Sequence, residues 1–230
     1  MKIVHILYED KNIISLVKPA GIFCEDTKKS DSMVSLIREY KLQKGEDENV
    51  FAVHRLDVTT AGVMVYAKNK ITAGKLSEIV SDHEKFKKEY LTVVEGKPEN
   101  DSGIYEDLLF KDSFKNKSYV VKRKRKGVKE ASLYYEVIST KNIDGQAYSL
   151  LKIRLFTGRT HQIRVQLSHR KMSILGDGKY GSRNSNCNIA LYSYSICFKN
   201  PFDEKELTLK SLPDFNVYPW SIFKEETGNL

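Results

Sequence analysis

The sequence predicts an α+β fold in one domain, residues 1–230, and three observations carry that expectation. Strand-like runs outnumber helical ones. The link Asn142-Ile143-Asp144-Gly145 joins two of them closely enough for an antiparallel pair. No internal repeat or low-complexity linker divides the chain, whose 230 residues suit one large domain or two small ones.

Taken in order, Ile3 to Val17 reads as two short strands around a turn at Glu9-Asp10-Lys11-Asn12, which Lys18-Pro19-Ala20-Gly21 then breaks. Ser30-Asp31 is placed to cap a helix in which Met33, Leu36, Ile37 and Tyr40 recur at helical spacing, ending before Gly45. An acidic, exposed loop from Gly45 to Asn49 leads to Phe51, and Val63 to Ala67 is strand-like. Thr72 to Ser81 reads as a helix with Leu76, Ile79 and Val80 on one side. The basic stretch Lys85 to Glu89 feeds a strand, Tyr90 to Val94, that Gly96-Lys97-Pro98 ends. Glu99 to Lys129 has few apolar residues at either period and reads as extended loops or a hairpin.

Leu133 to Ser139 and Ser149 to Phe156 are strands, the second alternating Leu151, Ile153 and Leu155 with Lys152 and Arg154. Thr157-Gly158-Arg159-Thr160 turns into a short helix, His161 to His169, with Thr160 as cap and Ile163 and Leu167 toward the core. Gly176 to Gly181 is a loop, Ile189 to Phe198 a strand, Pro201 to Lys205 a turn and Glu206 to Lys210 a strand. Pro213 to Phe223, with Trp220, is a final helix or a packed tail.

Composition narrows the function classes. Hydrophobic residues make up 40% and charged residues 30%, a balance that suits a soluble globular chain. No apolar run approaches the roughly 20 residues that span a bilayer. The opening Met1 to Leu7 meets Glu9-Asp10-Lys11 too soon for a signal peptide. Cys24, Cys187 and Cys197 are odd in number and far apart, which fits the reducing cytoplasm and gives neither a disulfide framework nor a zinc spacing. A net charge of +8 and a pI near 9.2 favour a polyanionic partner. The charge is clustered, with five cations in a row at Lys122-Arg123-Lys124-Arg125-Lys126. Such a run is either a solvated loop tip or a set of phosphate contacts that positions RNA or DNA without reading its sequence.

Two weaker signals are discounted. Gly176 to Gly181 spells Gly-x-Gly-x-x-Gly, but Ser182 to Asn186 is poor helix material, so no nicotinamide or flavin cofactor is expected. His161 and His169 stand two helical turns apart, too far to share an ion, and no metal site is expected.

Two stretches remain. Val53-His54-Arg55-Leu56-Asp57-Val58-Thr59-Thr60-Ala61-Gly62 sets a carboxylate at the mouth of a tight turn between apolar segments. Burying a lone carboxylate costs several kcal/mol unless it is paired, although a turn aspartate bonding its own backbone is common. About a hundred residues on, Leu155 to Arg164 gathers Arg159, His161 and Arg164 at a helix start, a setting for an anion. That anion is a ligand phosphate or the chain's own Asp57, in an ordinary core ion pair or in a site where the arginine keeps and aims the acid.

On these residues the chain resembles the RluA-like family of pseudouridine synthases, over nearly its whole length. The motifs read Lys18-Pro19-Ala20-Gly21, then His54-Arg55-Leu56-Asp57 with Thr60-Ala61-Gly62 and Ala67-Lys68. Lys88 to Gly96 follows, then Gly158-Arg159-Thr160-His161-Gln162-Ile163-Arg164 with Gly176-Asp177 and Tyr180-Gly181. The resemblance implies a mixed, largely antiparallel sheet flanked by helices and loops. It implies an RNA partner, ribosomal or transfer, a monomer, and chemistry with no cofactor.

It implies that Asp57 acts at the ribose C1′ region of a flipped-out uridine, that Tyr90 stacks on the base and that Arg164 pairs with the aspartate. Arg55 would lie near the space the base leaves in the RNA. Leu56, Thr60, Arg159, His161 and Gln162 are further candidates for contact with uridine or RNA, and Lys122, Arg123, Lys124 and Arg125 for its phosphates. The separate small RNA-binding domain that many relatives carry before the catalytic domain is not expected here. A non-catalytic RNA-binding module on the same fold is the rival reading. The sequence departs from the family at Ala61, at Gln166 and over His169 to Ser173, which bears on the shape of the substrate groove.

Overall fold

The first hairpin shows how local chemistry sets the frame. Strands β1 (His5–Glu9) and β2 (Ile13–Lys18) are joined by a turn in which the Asp10 carboxylate accepts the backbone N–H groups of Asn12 and Ile13, both at 2.7 Å. The computed structural model describes residues 4–27, 31–184 and 186–230. There follow α1 (Met33–Gln43), β3 (Phe51–Ala52), β4 (Ala61–Ala67), α2 (Lys70–Ser81), β5 (Lys87–Glu95), β6 (Ser102–Asp112), β7 (Lys117–Val121), β8 (Val128–Ile143) and β9 (Gln146–Leu155). Then come α3 (Gln162–His169), a 3-10 turn at Gly178–Tyr180, β10 (Leu191–Lys199), β11 (Glu206–Lys210) and a 3-10 segment at Trp220–Asn229.

Two elements differ from the sequence expectation. The cap of α1 is Ser32, which exchanges side-chain-to-backbone bonds with Ser35 at 3.0 Å in each direction; Ser30 lies outside the described residues. Residues 99–129 hold the antiparallel β6–β7 hairpin, the second of the two forms expected there, and its strands bury few side chains. Helix α3 starts after His161, whose backbone is left-handed at φ 54°, and it has no side-chain cap. Thr160 does not cap it; its carbonyl accepts the Ser118 hydroxyl at 2.6 Å.

The chain divides into two compact units, one running up to Lys88 with Ser193–Leu212, the other Glu89–Tyr192 with Pro213–Leu230. In the first, strands follow the order β1-β2-β4-β10, with β3 beside β4 and β11 beside β10. Its core gathers Ile13, Val63, Val65, Phe86, Ile196, Phe198 and Leu209 around Leu76 of α2. Asn69 caps α2, its side chain accepting the Thr72 N–H at 2.9 Å. The loop after α1 is tied down by Lys41, a buried ammonium that bonds Asp47 at 3.0 Å and the Asn49 carbonyl at 2.9 Å.

The second unit orders its strands β5-β9-β8-β6-β7, every neighbouring pair antiparallel. The β8–β9 hairpin turns on Asp144 and Gly145, both at positive φ. Val165 of α3 packs with Leu109, Ala131 and Tyr180. The fold is therefore α+β with largely antiparallel strands. No helix among the described residues is long and apolar enough to cross a membrane.

One glycine in the first unit fixes how closely two strands approach. Gly62 has φ +122°, and a Cβ there would stand 2.2 Å from the Ser193 carbonyl oxygen and 2.5 Å from its nitrogen. Both contacts are backbone, so no side chain can move aside. Gly62→Ala is expected to destabilise the protein by about 3 kcal/mol or more, since overpacking adds to a disfavoured φ. Urea unfolding with the midpoint compared to wild type measures it.

Candidate functional site

The turn that carries Asp57 links β3 to β4 and closes on itself through a Thr60 N–H to Asp57 carbonyl bond of 3.0 Å. It is gripped on both sides of the acid by the segment that follows β2. Before Asp57, the Leu56 main chain exchanges two bonds with Cys24: its N–H donates to Sγ and its carbonyl accepts the thiol, each at 3.2 Å. After Asp57, the Val58 carbonyl accepts the Gly21 N–H at 2.7 Å and the Lys18 ammonium at 3.2 Å.

Lys18 is the centre of this clamp. It ends β2 on the same face as Ile14 and Leu16, and all three are 0% exposed. Its ammonium also donates to the carbonyls of Pro19 and Ile22, both at 2.9 Å, so three donors meet three acceptors. Burial lowers its pKa to about 8, while neighbouring Cys24 and Asp57 oppose that shift. Desolvation likewise pushes the Cys24 thiol up, which keeps it a neutral hydrogen-bonding group. Tyr66 completes the clamp by donating to the Cys24 carbonyl at 3.1 Å.

Around the acid, Leu56 and Thr60 are buried, Asp57 is half-buried and Arg55 is exposed. His54 faces inward. Its Nε2 accepts the Val65 N–H at 3.0 Å, its ring lies 5.4 Å from that of Phe86, and its Nδ1 is shielded from solvent with no partner. Desolvation, helped by the Lys88 charge, lowers its pKa to about 3.

The second unit holds the other long motif. Arg164, 6% exposed, forms a two-pronged ion pair with Asp177, 2% exposed, at 2.7 Å and 2.8 Å. Its guanidinium lies 5.0 Å from the centre of the Tyr180 ring. The Tyr180 hydroxyl accepts the Ser118 N–H at 2.8 Å and sits 2.9 Å from His161 Nδ1. Burial raises the Tyr180 pKa, so the hydroxyl stays protonated. Gln162 spends its carboxamide inside the turn: Oε1 accepts from Thr157 Oγ1 at 2.7 Å and Arg159 N at 3.0 Å, and Nε2 donates to the Ser132 carbonyl at 3.0 Å. Tyr90 is a buried residue of β5, in register with Ile153 of β9.

The basic run occupies the exposed turn between β7 and β8, with Lys122, Arg123, Lys124 and Arg125 all open to solvent. Lys124 and Arg125 share a depression with Arg159, bringing together two predicted groups that lie far apart in sequence. Within the units the predicted residues thus form three sets: Arg55, Leu56, Asp57 and Thr60 on the acid turn; His161 and Arg164 around Tyr180; and Lys124, Arg125 and Arg159. Cys24, Asp177 and Ser118 were not foreseen as partners. Asp177 stands in the Gly176-Asp177 motif and Cys24 in the cysteine count, neither assigned a partner from the sequence; inward alternation along β2 is the signal that marks Lys18. Among the described residues no group of three or more His, Cys, Asp or Glu is arranged to hold a metal ion.

Comparison with known proteins agrees with this architecture. Human RNA pseudouridylate synthase domain containing 4 superposes with a TM-score of 0.74 at 24% identity, over 92% of this chain and 89% of that one, which shows a shared fold. The family model for RNA pseudouridylate synthase matches residues 12–169. The tRNA pseudouridine synthase C of Haemophilus ducreyi is 30% identical, covering 94% of this chain and 96% of the relative. The ribosomal large subunit pseudouridine synthase D of Borreliella burgdorferi is 32% identical, covering 98% and 70%. The fold is that of a uridine-isomerising enzyme, and the chain belongs to the RNA pseudouridine synthases of the RluA-like family.

Two predictions follow from the geometry. Removing one partner of a buried ion pair strands the other, so Arg164→Ala should cost about 3–5 kcal/mol of folding stability. Equilibrium urea unfolding measures it, and a loss within error of zero would refute the pairing. The second concerns His54. With a folded pKa of about 3 against an ordinary 6.5, the unfolded chain takes up a proton over that window and the folded chain does not. The stability from neutral His54 is therefore complete above pH 6.5 and is lost as pH falls toward 3. His54→Gln, which offers an acceptor to the Val65 N–H, should lose less stability than wild type on such acidification, as read by chemical unfolding at each pH.

Proposed function

We propose that this enzyme converts specific uridines of transfer or ribosomal RNA to pseudouridine, with Asp57 as the catalytic carboxylate. The observation that carries this reading is the two-sided clamp on the Asp57 turn. Fixing the backbone on either side of one carboxylate limits where its oxygens can reach, which a group acting on a ribose carbon requires. The reaction is an isomerisation. The N1–C1′ bond breaks, the uracil rotates, C5–C1′ forms, the C5 proton leaves to solvent and N1 takes up a proton, so the product is an isomer of the substrate. Asp57 acts either by bonding to C1′ or by removing a ribose proton to give a glycal, and both courses use it as a carboxylate.

The target base must leave its stack, which costs a few kcal/mol. Stacking on Tyr90 returns about 1–3 kcal/mol. Arg164, permanently charged, is the guanidinium assigned to the acid, and Asp177 fixes its orientation within the second unit. Arg55, exposed beside Asp57, is assigned to the space the base vacates. The enzyme works as a cytoplasmic monomer with no nucleotide cofactor. A non-catalytic RNA-binding module would need cations and aromatic rings, but no clamp on an acid.

Tritium release from RNA labelled at uridine C5 tests the reading. Asp57→Asn should release none while binding RNA within about threefold of wild type, a change below 1 kcal/mol. Wild-type turnover by that variant would exclude the assigned role. Tyr90→Phe should keep more activity than Tyr90→Ala, because the ring face does the stacking; equal losses would count against it.

A further inference from the structure

The depression beside the β7–β8 turn encloses about 510 Å³ and is lined by Lys124, Arg125, Lys129, Arg159 and a single acid, Glu130. Cations outnumber the acid four to one there. Two of the cations are held in place. The Arg159 Nε donates to the Glu130 carbonyl at 2.8 Å, and its own N–H is held by Gln162 at 3.0 Å. Arg125 rests its guanidinium 4.9 Å from the centre of the Phe110 ring. Such anchoring reduces the side-chain entropy lost when an anion binds.

The Glu130 carboxylate is paired with Lys124 on the open surface. Exposed pairs of this kind contribute about 0–1 kcal/mol, so another anion displaces the carboxylate at small cost. The site is too open and too charged for an apolar ligand, and its planar forks and ammonium groups match phosphate oxygens.

We propose that this depression is a subsite for backbone phosphates of the RNA, and that Glu130 is a resident anion which the phosphate displaces. The inference rests on RNA being the substrate. Its role is positional: it holds the strand and reads no base. Glu130 acts as a weak competitor, lowering affinity for an incoming anion by no more than the small cost of breaking the exposed pair.

The test is RNA binding by fluorescence anisotropy across a salt series, with tritium release by wild type measured on the same RNA. Each lost phosphate contact lowers the slope of log affinity against log salt by about one. The double variant Lys124→Ala/Lys129→Ala should therefore lower it by about two, and weaken binding at least tenfold. Glu130→Gln should tighten binding several-fold, which no unfolded or merely destabilised variant would do. A control pair in the exposed segments, Lys205→Ala/Lys224→Ala, should leave the slope at the wild-type value. The subsite is refuted if Glu130→Gln fails to tighten binding, or if the control pair lowers the slope as much as the test pair. Wild type that binds RNA with these slopes yet releases no tritium would refute catalysis and leave the subsite standing. Wild type that releases tritium while all variants bind alike would refute the subsite alone.

Discussion

The ammonium of Lys18 is the constraint on which the acid turn depends. A buried cation costs several kcal/mol unless its hydrogens are satisfied, and here three main-chain carbonyls meet that need without a carboxylate. The arrangement dictates backbone shape. To present their oxygens to one nitrogen, residues 19–22 must curl and the Val58 peptide must face them. Cys24 adds a second grip from the same segment, on Leu56. The acid between these two residues is thus fixed at the main chain on both sides. The neutral thiol suits this role, since it donates and accepts at one atom.

The second unit solves a different problem, that of holding polar side chains in a helix buried on most faces. Gln162, Arg164 and Gln166 of α3 are all buried, which would be costly unless each were bonded. Arg164 is satisfied by Asp177, Gln162 by the turn before the helix, and Gln166 Nε2 donates to Asp107 at 2.8 Å and to the Tyr105 carbonyl at 3.1 Å, while its Oε1 is buried with no partner. Asp107 also pairs with Arg170 at 2.8 Å, whose guanidinium lies 3.9 Å from the centre of the Tyr105 ring. Thus two departures from the family pattern, Gln166 and Arg170, form one local network with Asp107. The turn that follows them passes through Lys171 at φ 61°, a left-handed step that a lysine takes only under tertiary constraint.

Much of this was legible in the chain. The Asp10 turn, α2, the β8–β9 hairpin and β11 follow from turn chemistry and periodicity, which are local. What escaped was set by partners distant in sequence. The strands β6 and β7 show weak alternation because neither face is fully buried, so a hairpin was legible there while the pairing of β6 with β8 was not. The start of α3 moved by one residue because the Gln162 side chain, rather than Thr160, takes up the donors of the preceding turn. Lys18 and Cys24 drew notice only as parts of a motif and of a thiol count; their bonds to Val58 and Leu56 join residues some 32 to 40 positions apart. The glycine pattern at 176–181 has a packing cause: a Cβ on Gly176 would stand 2.5 Å from the Asn188 carbonyl oxygen. Letters that match a cofactor loop here mark backbone approaching backbone.

The two kinds of polar residue in this protein answer to different physics. The clamp on Asp57 acts through hydrogen bonds near 3 Å, shielded from solvent, which salt barely touches. The cations around Arg159 sit on an exposed turn, where the field reaches only about 10 Å at ordinary ionic strength. Capture of a polyanion is therefore adjustable by salt and by a few surface charges, while the geometry of the acid is not. Changes to the β7–β8 turn would alter how strongly that surface attracts an anion, leaving the segment that holds the carboxylate untouched. Lys18, Cys24 and Gly62 each meet main chain, which has no alternative rotamer to adopt, so the acid turn has little room to adjust.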